Sequence, residues 1–128
     1  MKELEITAEI VDAAIEVHRT LGGPGLLESV YEEAFIHELR LRHLFTERQK
    51  QVQIIYKGQQ LATPLRLDLL VSQQIIIECK ATVEYNSIYE VQLLTYLRLM
   101  NLRIGLVINF GERWVKDGIH RIINSRVE

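Results

Sequence analysis

The sequence predicts an α/β domain in which a mixed β-sheet is flanked by helices, and three observations carry that prediction. Two N-terminal segments repeat apolar residues at helical spacing. Two β-branched runs further along, Ile75–Lys80 and Ile104–Phe110, suit buried strands. A further helical segment lies between those runs, which favours a parallel crossover, while the short turn before the first favours an antiparallel pair. The expected order is ααβββαββ.

The first helix is expected over Thr7 to Leu21, where Ile10, Ala14, Val17 and Leu21 recur at helical spacing and Ile6, Ala13 and Ile15 widen the face. Thr7 is placed to cap it. Gly22-Gly23-Pro24-Gly25 ends it, because glycine and proline together disfavour any regular element. The second helix is expected from Leu27 to Arg42, with Val30, Ala34, Phe35, Leu39 and Leu41 on its apolar positions. A basic, polar stretch from Arg40 to Lys50 follows and reads as surface. Val52–Tyr56 has the period of a strand, Lys57-Gly58 is a turn, and Leu65–Val71 is a second strand. Ser72-Gln73-Gln74 turns the chain into Ile75–Lys80. Ile88–Met100 is helical, with Val91, Leu94, Leu97 and Leu99 apolar. Ile104–Phe110 is the second buried strand, and Trp114–Ile123 is expected at a sheet edge.

Bulk properties narrow the function classes. The chain has 128 residues, of which 48% are apolar and 25% charged, which fits one globular domain over 1–128 and excludes disordered or collagen-like classes. The formal net charge of −2 argues against coating nucleic acid by bulk charge, so binding of that kind needs a local basic face. Cys79 is the lone cysteine, so no intramolecular disulfide can form. No apolar run approaches the roughly 18 residues of a membrane span, and the first helix lacks the apolar centre of a signal peptide. The expectation is a chain without a membrane partner in a reducing cytoplasm.

The segment that points to chemistry is Arg66-Leu67-Asp68 followed by Glu78-Cys79-Lys80. Alternation along a strand puts Glu78 and Lys80 on one face and Cys79 on the other, which makes Cys79 a core residue rather than a nucleophile. Counting back through the turn at Ser72–Gln74 brings Asp68 beside Glu78 across an antiparallel pair. Charges at the end of an Ile-rich strand need partners. One solution is an ordinary cross-strand ion network. The other is a hard cation: Mg²⁺ takes oxygen ligands, is held by one or two carboxylates, and polarises a bound phosphate or water. Lys80 would then position water or offset developing charge.

The string Gly25-Leu26-Leu27-Glu28-Ser29-Val30-Tyr31 resembles the signature of the GxxExxY protein family, part of the PD-(D/E)XK nuclease-like superfamily. Gly25–Phe35, Arg66–Asp68, Glu78–Lys80, Gln92–Leu97 and Leu106–Phe110 match in order. The resemblance implies a restriction-endonuclease-like fold and a Mg²⁺- or Mn²⁺-dependent nuclease acting on nucleic acid, DNA ahead of RNA. It implies that Asp68 and Glu78 are metal carboxylates, that Lys80 is the catalytic lysine, and that Glu28 is an additional helix-borne acid completing the metal shell. Gln92 and Tyr96 resemble the Q-x-x-x-Y motif of RecB-like nucleases and share a helical face. The proline that precedes the first aspartate in the superfamily motif is absent; Leu67 holds that place and Pro64 lies further back.

Other residues carry open readings. Tyr31 either orients Glu28 or packs its helix. Arg66 either meets phosphate or pairs with Glu28 or Glu78. The run Arg40, Arg42, His43, Arg48 and Lys50 is either solvated surface or a phosphate-contacting patch. His18 and His37 are expected on helix surfaces, and Trp114 as a packing residue at a sheet edge rather than a base-stacking one. Besides the nuclease, a non-catalytic nucleic-acid-binding or regulatory module of the same fold fits the acidic, minimal chain. A homodimer is an expectation by analogy, with the apolar stripe of the first helix as its candidate surface.

Overall fold

In a computed structural model, which describes residues 1–127, three helices pack on the two faces of a five-stranded sheet. Helices α1 (Glu3–Thr20) and α2 (Glu28–Leu41) precede the strands β1 (Thr46–Val52), β2 (Ile55–Tyr56), β3 (Gln59–Gln60), β4 (Leu65–Val71) and β5 (Ile75–Lys80). Helix α3 (Ile88–Met100) leads to β6 (Ile104–Asn109), and a short 3₁₀ turn at Val115–Gly118 leads to β7 (Ile119–Ile123). The sheet order is β1-β4-β5-β6-β7. Only β5 and β6 run parallel, joined by α3 as expected; every other neighbouring pair is antiparallel. The expected mixed sheet and its main-sheet order ααβββαββ are therefore observed.

Each face has its own core. Ile6, Ile10, Ala13, Ala14 and Val17 of α1 pack with Phe35 and Leu39 of α2 and with Ile75, Ile77 and Cys79 of β5. Leu93 and Leu97 of α3 cover Leu65, Leu67, Ile76 and Val107 on the opposite face. The alternation of β5 thus sends Ile75, Ile77 and Cys79 one way and Ile76 the other. Most of the α1 stripe is buried in this core, while Ile15 and Leu21 at its margin stay exposed.

Several expectations need correction. Helix α1 begins at Glu3, not Thr7, and the Thr7 hydroxyl donates to the Glu3 carbonyl at 2.8 Å inside the helix instead of capping it. His18 is buried, with Nε2 3.1 Å from the Phe110 carbonyl oxygen, so only His37 is on a helix surface. The polar stretch Thr46–Val52 is the first strand of the sheet, paired with β4. The strand expected over Val52–Tyr56 divides: Val52 ends β1, and Ile55–Tyr56 forms a small separate hairpin with Gln59–Gln60 about the Lys57-Gly58 turn. Trp114 is 63% exposed and precedes the 3₁₀ turn instead of packing at an edge.

Candidate active site

The β4–β5 hairpin turns at Ser72 and Gln73, both with positive φ (52° and 56°), which matches the twist of a two-strand ribbon. The pairing runs from Val71↔Ile75 to Leu69↔Ile77 and stops there. At the next position the side chains take over from the backbone. The Asp68 N–H donates to Glu78 Oε2 at 2.9 Å, and the Cys79 N–H donates to Asp68 Oδ2 at 2.9 Å. Each carboxylate therefore holds an amide of the opposing strand, with its second oxygen outside that exchange. Juxtaposition of Asp68 and Glu78, expected from the spacing, is observed.

This pair is electrostatically loaded. Burial first, then the neighbouring Asp68 charge, raise Glu78 to about 8, while the Asp68 N–H and Lys80 act the other way. Burial likewise raises Asp68, opposed by the Cys79 N–H and Lys80. Two like-charged acids deprived of water form a donor set that a divalent cation would relieve. Among the described residues, however, no group of three or more His, Cys, Asp and Glu side chains is already gathered to hold a metal ion. The fit is that of an ion bound by one or two carboxylates and water, not of a closed protein cage.

Lys80 follows on the Glu78 face and is half-buried. Its Nζ lies 4.6 Å from the centre of the Tyr89 ring of α3, a cation–π seat. Among the described residues it makes no salt bridge, so the ordinary ion-network reading of Glu78 and Lys80 is not what forms. Cys79 is fully buried in the core, and burial pushes its thiol well above the usual range, as expected for a residue facing away.

Glu28 opens α2 and is exposed, yet nearby protein removes enough water from its carboxylate to raise it, with Lys80 lowering it and Asp68 and Glu32 raising it further. That pattern puts Glu28 within electrostatic reach of Asp68 and Lys80. Tyr31 does not orient it. The Tyr31 ring is buried, stacks on Phe110 with centroids 4.9 Å apart, donates its hydroxyl to the Gly23 carbonyl (2.6 Å) and accepts from the Leu26 N–H (3.2 Å). It thereby pins the loop before α2, where Gly23 and Gly25 take positive φ of 99° and 113° that suit glycine alone.

The site contains two residues that reading the sequence missed. Glu32, one helical turn after Glu28, is buried and raised by burial, with Gln49 holding it down and Asp68 pushing it up. Gln49 Nε2 donates to Glu32 Oε1 at 2.6 Å and also favours ionisation of Asp68. Gln49 stands opposite Asp68 in the register that joins Arg48↔Leu69 to Lys50↔Leu67, and its φ is 50°. At this point both strands change face. Leu65 and Leu67 pack toward α3, whereas Leu69 and Val71, of the same parity, pack toward α1 and α2. The i, i+4 spacing of Glu28 and Glu32 was a legible signal; nothing in Gln49 announced its backbone.

Of the α3 pair, Tyr96 is half-buried and raised by burial and then Glu78, with Lys80 opposing, so it borders the site. Gln92 is exposed and makes no hydrogen bond to the carboxylates among the described residues. The basic residues divide. Arg42 is held by Glu38 (2.9 Å) and Glu9 (3.2 Å), Arg40 donates to the Thr46 carbonyl (3.3 Å), and Lys50 pairs with Glu47 (2.8 Å). Arg48 lies 3.7 Å from Glu32 at the rim of the site. Arg66 is exposed and, among the described residues, forms no salt bridge, so it does not pair with Glu28 or Glu78.

Comparison with known proteins accords with this geometry. The family model of the PD-(D/E)XK nuclease superfamily matches residues 4–122, and the chain belongs to that superfamily. No curated protein and no solved structure matches it. No helix among the described residues is long and apolar enough to cross a membrane.

Proposed function

We propose that the chain is a metal-dependent nuclease that hydrolyses phosphodiester bonds of nucleic acid, DNA ahead of RNA, and that within its superfamily it falls in the GxxExxY family. The observation that carries this reading is the exchange of backbone amides between Asp68 and Glu78, which sets two strained acids side by side at the end of the hairpin. Asp68, Glu78 and Glu28 are the residues to hold Mg²⁺ or Mn²⁺, which when bound would polarise phosphate and acidify water. Gln49 of β1, held by Glu32 of α2, favours the ionised form of Asp68. Lys80, seated on Tyr89 rather than in an ion pair, is available to orient the attacking water or to offset developing negative charge. Tyr96 and Gln92 serve from α3, and Arg48 and Arg66 are the rim cations best placed for phosphate.

A cleavage assay with Mg²⁺ or Mn²⁺ on several DNA and RNA forms tests this. Asp68→Ala and Lys80→Ala are expected to lower cutting at least about a hundredfold, as loss of a charge-stabilising group does in other enzymes. Metal-dependent cutting that survives both substitutions ends the assignment. A second reading is a non-catalytic binding or regulatory module of the same fold, which the formal net charge of −2 fits. Calorimetric titration separates the two: no uptake of either metal at millimolar concentration supports the module. A homodimer remains part of the nuclease proposal by analogy, and light scattering decides it.

A further inference from the structure

A cavity of about 730 Å³ lies between the Gly22–Pro24 loop and the segment after β6. Trp114 forms one wall, with Arg113, Lys116 and Asp117 beside it and Gly23 and Pro24 opposite. The indole is 63% exposed, unusual for so large an apolar ring, and the Arg113 guanidinium sits 5.5 Å from its centre. Among the described residues neither Arg113 nor Lys116 forms a salt bridge. Arg19 also lines the cavity but is held by Glu16 at 2.6 Å. The cavity is tied to the site by a short relay. Gly23 holds Tyr31, Tyr31 stacks on Phe110, and the Phe110 N–H donates to the Lys80 carbonyl at 2.7 Å.

Resting on the nuclease reading, we infer that this cavity receives an unpaired nucleobase of the substrate strand, stacked on Trp114, while Arg113 and Lys116 meet the adjoining phosphates. A flat aromatic wall flanked by cations that form no salt bridge is the chemistry that binds a base and its backbone without reading sequence. A duplex keeps its bases stacked on one another and cannot offer one, so the preferred substrate has a single-stranded segment.

Trp114 is the sole tryptophan of the chain, so its emission reads this cavity alone. Wild-type protein without added metal is titrated with an oligothymidylate of about twelve nucleotides, within the span of known single-strand sites. Saturable quenching that weakens with salt is expected, with little response to a duplex of equal length. Anisotropy of a labelled strand is expected to show about tenfold weaker binding for Trp114→Ala and near-normal binding for Trp114→Phe. Unsaturable quenching, equal affinity of Trp114→Ala and wild type, or emission that shifts with protein concentration alone overturns the inference. Because no metal is present, the outcome is independent of cleavage. Intact stacking with no cutting defeats the nuclease reading only, and intact cutting with unchanged Trp114→Ala binding defeats this inference only.

Discussion

At the scale of the residue, Gln49 shows how tertiary structure places a side chain that local preference would not. A non-glycine residue at φ 50° in a strand is strained, and it persists because its amide reaches Glu32 while the strands cross faces around it. Gln49→Ala loses the hydrogen bond and keeps the strain, whereas Gln49→Gly relieves the strain. Chemical denaturation is expected to find the glycine variant more stable by about 1 kcal/mol, the reverse of the usual order in a strand. Glu78 makes a second prediction. It ionises near 8 in the folded chain instead of its ordinary 4.5, so between those values the folded state holds a proton that the unfolded state has released. Its contribution to stability is therefore present at low pH and lost as pH rises through the folded value. Without metal, the melting temperature of the wild type is expected to fall relative to that of Glu78→Gln between about pH 5 and pH 8. A parallel course of the two proteins would contradict the burial assigned to this acid.

At the scale of the element, legibility followed the apolar pattern. Strands β5 and β6 are mostly apolar runs buried on both faces, and their bounds and those of α3 were readable to within a residue; the buried face of α3 was not, because Leu93 and Leu97 are buried while Val91 and Leu99 of the expected stripe are exposed. Strand β1 was not, because Thr-Glu-Arg-Gln-Lys-Gln-Val is an edge strand whose ladder is supplied by β4, not by its own composition. The end of β5 is fixed by a residue that carried no signal. Asn109 is fully buried, accepts from the N–H groups of Thr82 and Gly111 through Oδ1 (3.0 Å each), and donates to the Thr82 carbonyl (3.0 Å). Gly111 lies so close to the Thr82 backbone that a Cβ has no room there. Asn109→Ala strands these buried groups and is expected to cost about 2–3 kcal/mol in denaturant unfolding. It should also loosen Lys80, two residues upstream of Thr82.

At the scale of the whole molecule, the formal charge of −2 becomes intelligible when the acids are located. Glu28 and Glu78 each feel the charges of Asp68 and Glu32, Arg48 is paired with Glu32 at the rim, and the cations of the Trp114 cavity, Arg113 and Lys116, form no salt bridge among the described residues. The trio Asp68, Glu78 and Lys80 was legible because strand alternation and a tight turn fix their relation. Glu32 left only its i, i+4 spacing from Glu28 as a signal and Gln49 left none, because their part depends on how α2 settles over the sheet. A cation taken up here stabilises the whole fold by mass action, by about 2.7 kcal/mol at a hundred times its dissociation constant. Calorimetric melting with Mg²⁺ or Mn²⁺ is expected to rise for wild type and to stay flat for Asp68→Ala. The amide exchange across the hairpin has one more consequence. The protons on the Asp68 and Cys79 nitrogens sit on carboxylates, so their magnetic resonances become built-in gauges. The Asp68 signal follows the charge on Glu78, the Cys79 signal follows the charge on Asp68, and each acid can be watched through its neighbour's backbone.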